Sequence, residues 1–210
     1  MLWDNFFIPQ FLVILLKNKI MTTKERIEKC LEKYENKNIV DNNLPFFDYV
    51  LECYNKCIPQ SYGPKIEKRI IKEYNLGSIK KSQSRGDFYV KENSIVSSTF
   101  KNIFKPNDSS EIKVSFLSGL GNSASFNFIQ LRPYETFDFY TFVTIDFDLI
   151  NRDAILEWYL LRKDVVHNEF NLHLIHGGKE SNKENKNKEY KLHVVKNSEQ
   201  HKKLKELNLI

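Results

Sequence analysis

Apolar residues recur at helical spacing over much of the first third of the chain. Residues 22–37 carry such an apolar stripe, and the segment "LPFFDYVLECYNKCI" (44–58) repeats it after Pro45. A third segment, "PKIEKRIIKEYNL", opens at Pro64, a residue type favoured in the first helical turn, and runs towards Gly77, which is expected to end the helix. The spacing therefore predicts three helices.

Short runs of β-branched and aromatic residues follow the third helix. Turn-forming residues separate these runs, which predicts strands at "GDFYV", "SIVSSTF", "EIKVSFL", "FNFIQLR" and "FYTFVTIDFD". A helix is predicted for "NRDAILEWYLLRKDV", with Asn151 as its N-cap, and then a short strand, "YKLHVV", and a terminal helix, "SEQHKKLKEL". This order of elements predicts an α/β fold of the α+β-like kind, in which helices flank a mixed central β-sheet.

The first twenty residues differ from the rest of the chain. Their apolar stretch, Phe6 to Leu16, is shorter than the roughly 20 residues that a membrane-spanning helix needs, so no stable span is expected. Met21 opens a second sequence typical of an N-terminus, a Thr cap followed by an amphipathic helix. We therefore expect residues 1–20 to be an apolar leader of doubtful origin and residues 21–210 to be a single domain. The alternative is a genuine interfacial anchor.

Composition excludes a chain that is disordered throughout. Of the 210 residues, 41% are hydrophobic and 13% are aromatic, and the net charge of +5 permits a polyanionic partner without requiring one. The three cysteines, Cys30, Cys53 and Cys57, are an odd number and so cannot all pair in disulfide bonds. This favours free thiols in a reducing compartment and a cytoplasmic protein. Cys53 and Cys57 have no second ligand pair nearby, so their helical spacing does not predict a metal site.

The run "EIKVSF" sets an acid and a base two residues apart on a predicted strand, so that Glu111 and Lys113 point to the same side. Asp87 follows a glycine at the start of an earlier strand, and the segment between them is long enough for a hairpin. Two converging carboxylates can hold a divalent cation, and a neighbouring lysine can orient, or help to deprotonate, a metal-bound water. The alternative is that Asp87 is a turn residue and the other two form a solvated edge.

At these residues the sequence resembles the PD-(D/E)xK nuclease superfamily, and within it the type II restriction endonucleases. The resemblance implies a restriction-endonuclease-like fold, with a four- or five-stranded mixed sheet, and Mg²⁺-dependent cleavage of DNA. Asp87 and Glu111 take the two metal-binding carboxylate positions, Lys113 takes that of the catalytic lysine, and Glu67 matches a catalytic-site glutamate often present on the preceding helix. The sequence departs from the family pattern at Gly86, which precedes Asp87 where the pattern has proline.

The resemblance spans roughly residues 63–147, the expected catalytic core, and its last part carries polar side chains suited to DNA. If the segment is a strand, Gln130 and Arg132 lie on one face, where both can bind base edges or phosphates. The alternative is a polar outer face on which Arg132 pairs with Glu135 or Asp138. The predicted DNA-contacting residues are Ser115, Asn127, Gln130, Arg132 and Lys179.

These features together predict a type II restriction endonuclease that hydrolyses phosphodiester bonds of double-stranded DNA at a specific sequence. Two alternatives stay open: a structure-specific repair or resolvase nuclease of the same superfamily, and a non-catalytic DNA-binding module. Cutting both strands with one site per chain usually calls for a two-fold dimer. We therefore expect a homodimer on DNA and a cognate DNA methyltransferase as the genetic partner.

Overall fold

The computed structural model describes six parts of the chain, and statements about structure refer to these parts. The predicted leader, the helix predicted at 22–37, Cys30 and Lys179 lie outside them. None of the described helices has the length and apolar character needed to cross a bilayer. The described residues are 40–57, 59–79, 86–95, 98–119, 121–176 and 188–210.

Five α-helices lie in the described residues: α1 Phe46–Lys56, α2 Pro59–Glu73, α3 Ser98–Ile103, α4 Lys163–Glu169 and α5 Glu199–Glu206. Helix α1 begins after Pro45, as predicted. Helix α5 is also confirmed, and Ser198 caps it by accepting a hydrogen bond from the backbone N–H of His201. Cys53 and Cys57 are free thiols buried in the core.

Helix α2 begins and ends earlier than predicted. Pro59 takes its N-terminal position, and Pro64, expected in the first turn, lies inside the helix. Asn75, at φ +51°, follows its C-terminus, and the next backbone N–H donates to a carbonyl five residues back, as in a Schellman motif. The prediction that Gly77 ends this helix is therefore wrong. Gly77 instead begins a strand, where an added Cβ would clash with the ring of Tyr89.

Eight strands lie in the described residues: β1 Gly77–Ser78, β2 Phe88–Tyr89, β3 Ser110–Phe116, β4 Ser125–Leu131, β5 Phe139–Asp148, β6 Asp153–Arg162, β7 Leu172–His176 and β8 Glu189–Val195. They form a five-stranded sheet in the order β1-β2-β3-β5-β6 and a three-stranded sheet in the order β4-β8-β7. Strands β3 and β5 are parallel, and the other pairs are antiparallel. The larger sheet is therefore mixed, as predicted.

Both faces of the five-stranded sheet are covered, as the side chains of its central strand β5 show. Phe139 and Val143 pack into a core shared with α1 and α2. Tyr140 and Phe142 point to the other face and share a core with β4, β8, α4 and α5. A mixed central sheet flanked by helices is thus confirmed. The three-stranded sheet is an additional layer that the sequence pattern did not predict.

Two predicted elements are of the wrong type. Most of "NRDAILEWYLLRKDV" forms β6, and the chain becomes helical only at Lys163. Asp148 accepts hydrogen bonds from the N–H groups of Ile150 and Asn151 and so closes a hairpin turn, after which β6 pairs with β5 along its length. The segment "SIVSSTF" leads into α3 instead of forming a strand, and Phe100 packs into the core from this helix.

Candidate active site

The candidate site forms where β2 and β3 separate. The antiparallel ladder between these strands has one register pair, Phe88 with Ser110. Beyond this pair, the Asp87 side chain takes the place of a strand partner, because its Oδ2 accepts a 3.0 Å hydrogen bond from the backbone N–H of Ile112. Since a buried N–H without a partner is costly, this bond anchors the Asp87 carboxylate at the edge of β3.

Gly86 allows the chain to approach β3 closely enough for this contact. Its φ is +84°, and a Cβ at this position would lie 2.7 Å from the carbonyl oxygen of Ser110. The same oxygen accepts a 2.8 Å hydrogen bond from the N–H of Asp87. Only glycine suits both the backbone angle and the close approach, which gives a physical reason for the glycine at position 86.

Glu111 and Lys113 lie on the same face of β3, as predicted, and form an ion pair. The Lys113 Nζ lies 2.6 Å from Glu111 Oε1, and each side chain is only 11% exposed. The alternative of a solvated edge is therefore wrong. An ion pair that is largely removed from water is often no more stable than apolar side chains of similar size. Stability alone thus gives a weak reason for these charges.

The electrostatics of the site show an excess of negative charge. Burial, and then the Glu111 charge, raise the pKa of Asp87 to about 7, and a hydrogen bond with Glu111 acts in the same direction. Burial disfavours the charged form of Lys113, but the carboxylates of Glu111, Glu67 and Asp87 outweigh it and raise the lysine pKa. Lys113 is therefore a cation at neutral pH, while Asp87 holds a proton part of the time.

Asp87 and Glu111 are the residues at this site that suit a metal ion. Mg²⁺ is usually held by one or two carboxylates, with waters and phosphate oxygens completing its octahedron, so two carboxylates meet its needs. The raised pKa of Asp87 reflects first its burial and then the charge of Glu111 beside it, and a divalent cation between the two carboxylates would favour the ionised form of Asp87. Within the described ranges, no group of three or more His, Cys, Asp or Glu side chains is arranged to hold a metal ion.

A cavity of about 290 Å³ opens beside the ion pair of Lys113 and Glu111. It lies between α2 and β4, and both Lys113 and Glu67 line it. Glu67 therefore reaches the site from the helix before the hairpin, where the sequence placed it. The remaining lining residues are Tyr62, Gly63, Pro64, Val114, Asn127, Ile129 and Gln130.

Two predicted DNA-contacting residues bond within the fold. Ser115 is 3% exposed, and its hydroxyl accepts a 2.8 Å hydrogen bond from the backbone N–H of Asn127, which ties β3 to β4. The structure therefore gives Ser115 a structural role and does not support a DNA contact. Asn127 lines the cavity, and its Oδ1 lies 2.8 Å from Nδ1 of His193 on β8. The sequence pattern did not single out His193, because only the second sheet brings β8 beside β4.

Arg132 is engaged in ion pairs. Its Nε lies 2.8 Å from a carboxylate oxygen of Glu189, and its terminal nitrogen lies 3.0 Å from one of Glu135. This arrangement is the predicted alternative of an internally paired arginine, with Glu189 as an additional partner. Arg132 lies beyond the end of β4 and Gln130 sits at a break in the register of that strand, so the expected common face does not form.

No family model, no curated protein and no solved structure matches this chain. The features of this chain that bear on its function are its mixed α/β fold and a cluster of charged side chains. The cluster consists of Glu67, Asp87, Glu111 and Lys113.

We expect the metal-free protein to lose stability as the pH rises from about 4 through 7. The folded pKa of Asp87, about 7, exceeds its unfolded value of about 4, so between these values the folded state keeps a proton that the unfolded state has released. Thermal unfolding in EDTA across this pH range, for the wild type and for Asp87→Asn, measures the effect. The wild type should lose stability relative to the variant as the pH rises. A constant difference between the two proteins would contradict the prediction.

Proposed function

We propose that this protein is an Mg²⁺-dependent endonuclease that hydrolyses phosphodiester bonds of double-stranded DNA at a specific sequence, as type II restriction endonucleases do. The observation that carries the proposal is the largely buried cluster of Glu67, Asp87, Glu111 and Lys113 at the edge of β3, beside a cavity that Lys113 and Glu67 line. The mixed sheet with flanking helices is consistent with the restriction-endonuclease-like fold that the sequence resemblance implies.

The chemistry follows from the charges of these side chains. Bound Mg²⁺ would lower the pKa of a water ligand and offset the charge on the phosphate under attack. Asp87 and Glu111 supply the oxygen ligands, and the backbone N–H of Ile112 holds one of them in place. Lys113 is protonated at neutral pH, so its ammonium group is suited to orienting the attacking water and to stabilising negative charge on the phosphate.

Glu67 lies on a different element from the other three residues, and its charge helps to raise the pKa of Lys113. It therefore favours the protonated amine, and it lines the cavity in which the scissile phosphate would lie. We assign Glu67 to orienting Lys113 and the attacking water. This role explains why the site contains one carboxylate more than a two-ligand Mg²⁺ site needs.

The proposed partners follow from the reaction. Double-stranded DNA is the substrate, and a homodimer would place two such sites on the two strands. A restriction endonuclease acts in the cytoplasm with a cognate methyltransferase that protects the host sites. Lys179 stays a predicted phosphate contact.

Digestion of a panel of plasmids with Mg²⁺ tests the proposed function. We expect discrete, reproducible fragments, and sequencing of the fragment ends should give one recognition sequence. Cleavage only of branched or damaged DNA would instead identify a repair or resolvase nuclease. Binding without cleavage, at any Mg²⁺ concentration, would identify a non-catalytic DNA-binding module and overturn the proposal.

A further inference from the structure

Gln130 holds a backbone conformation that its side-chain type rarely adopts. Its φ is +58°, whereas most other residues with positive φ in the described chain are glycine or asparagine, which tolerate this region. A glutamine there is strained, and such strain persists where the surrounding structure or the function requires it. The other exception is Arg152, which is held by an ion pair of 2.6 Å with Asp48.

The strained conformation redirects the Gln130 side chain. Phe126 and Phe128 point into the core, so in a regular strand the residue at 130 would also point inward. The pairing of β4 with β8 shifts register between Phe128 and Leu131, and Leu131 takes the next core position. Gln130 is thereby exposed and lines the cavity that Lys113 also lines.

The amide of Gln130 is available to a ligand. It has no side-chain hydrogen bond to any residue in the parts of the chain that the structure describes, and it is exposed. Its polar neighbours on this segment are engaged, since Asn127 bonds to His193 and Arg132 pairs with two glutamates. A glycine or an asparagine would permit the same change of register at lower strain, so the glutamine side chain itself needs an explanation.

We propose that Gln130 reads an adenine base of the DNA substrate close to the scissile phosphate. The proposal rests on the proposed nuclease function: Gln130 and Lys113 line the same cavity, so a base bound by Gln130 would lie next to the phosphodiester bound at Lys113. A glutamine amide has one acceptor and a pair of donor hydrogens, which match the N6 amino group and the N7 acceptor of adenine in the major groove. Gln130 is thus a specificity-determining residue, and the strain at φ +58° is the cost of presenting its amide.

Gln130→Gly provides a test, because glycine adopts positive φ freely and lacks the amide. We expect this variant to melt at a higher temperature than the wild type and to lose roughly tenfold to a hundredfold of the discrimination at one A·T pair of the recognition sequence. Gln130→Ala should lose the same discrimination without gaining stability. Asn107→Gly is the matched control, since Asn107 has φ +75° and does not line the cavity, and its base discrimination should not change.

Replacing the adenine of that A·T pair with 7-deazaadenine, which lacks the N7 acceptor, gives an independent readout. The modified substrate should slow cleavage by the wild type and have little effect on Gln130→Gly. Cleavage by the wild type together with unchanged discrimination in both Gln130 variants would overturn the assignment of Gln130 and leave the nuclease proposal standing. Loss of discrimination at a G·C pair, instead of at an A·T pair, would also overturn the assignment of Gln130. A wild type that does not cleave DNA with Mg²⁺ would overturn the nuclease function and, with it, this inference.

Discussion

Lys113→Ala is expected to lower the rate of DNA cleavage by about 10²–10⁴-fold or more, while DNA binding in Ca²⁺ persists. The amine lies 2.6 Å from Glu111 at the site and is held protonated by the carboxylates around it, so its loss removes the group that orients the attacking water. Ca²⁺ can occupy the carboxylate pair without supporting the reaction. Cleavage rates in Mg²⁺ and DNA affinity in Ca²⁺ measure the two effects separately.

The chain offers a matched control in Lys202, which pairs with Glu199 at the surface. Their Nζ–Oε1 distance is 2.8 Å, but the two side chains are 61% and 89% exposed, against 11% for each member of the Lys113–Glu111 pair. Lys202→Ala should leave cleavage and DNA binding unchanged, since an exposed pair contributes little. Full activity in Lys113→Ala would refute the proposed site.

Glu111→Gln is expected to abolish cleavage for a different reason, namely the loss of the metal ion. The substitution removes a formal charge from a pair of carboxylates that together suit Mg²⁺, so the Mg²⁺ dissociation constant should rise at least about tenfold. Because a cation that binds the folded state raises its stability, the Mg²⁺-induced shift in melting temperature measures this affinity without any DNA present.

The two substitutions should change metal affinity in opposite directions. Lys113→Ala removes a positive charge beside the carboxylates and should make the Mg²⁺-induced shift in melting temperature larger than in the wild type, whereas Glu111→Gln should make it smaller. Glu199→Gln, at the exposed pair, should leave it unchanged. If Glu111 and Lys113 formed only a structural ion pair, neither variant would alter the response to Mg²⁺. Equal responses in all of the variants would therefore contradict the metal site.

The central part of the site was predictable because it depends on the geometry of one strand. Alternation along β3 places Glu111 and Lys113 on one side whatever the rest of the fold does, and the structure confirms this. The position of Asp87 directly after a glycine was also visible in the sequence. The reason for that glycine, the close approach of Gly86 to the Ser110 carbonyl, became visible only when β2 was seen against β3.

The sequence predictions are wrong where pairing between distant segments of the chain decides between two local structures. The apolar residues of "NRDAILEWYLLRKDV" suit a helix as well as a strand, and the turn at Asp148 together with the ladder between β5 and β6 selected the strand. Arg132 was expected on a strand face with Gln130. Its partner Glu189 lies 57 residues further along the chain, and no local pattern could identify that pairing.

The sequence by itself therefore determined the elements with strong local signals, namely helices α1 and α5, strands β3 and β5, and the shared face of Glu111 and Lys113. These depend on periodicity and on caps, which act over a few residues. The tertiary structure alone decided how Glu67 from α2 and Asp87 from the residue before β2 reach β3, how Arg132 is neutralised, and how the register shift in β4 exposes Gln130. Each of these depends on the packing of segments that are distant in sequence, because burial and strand pairing act between elements rather than within them.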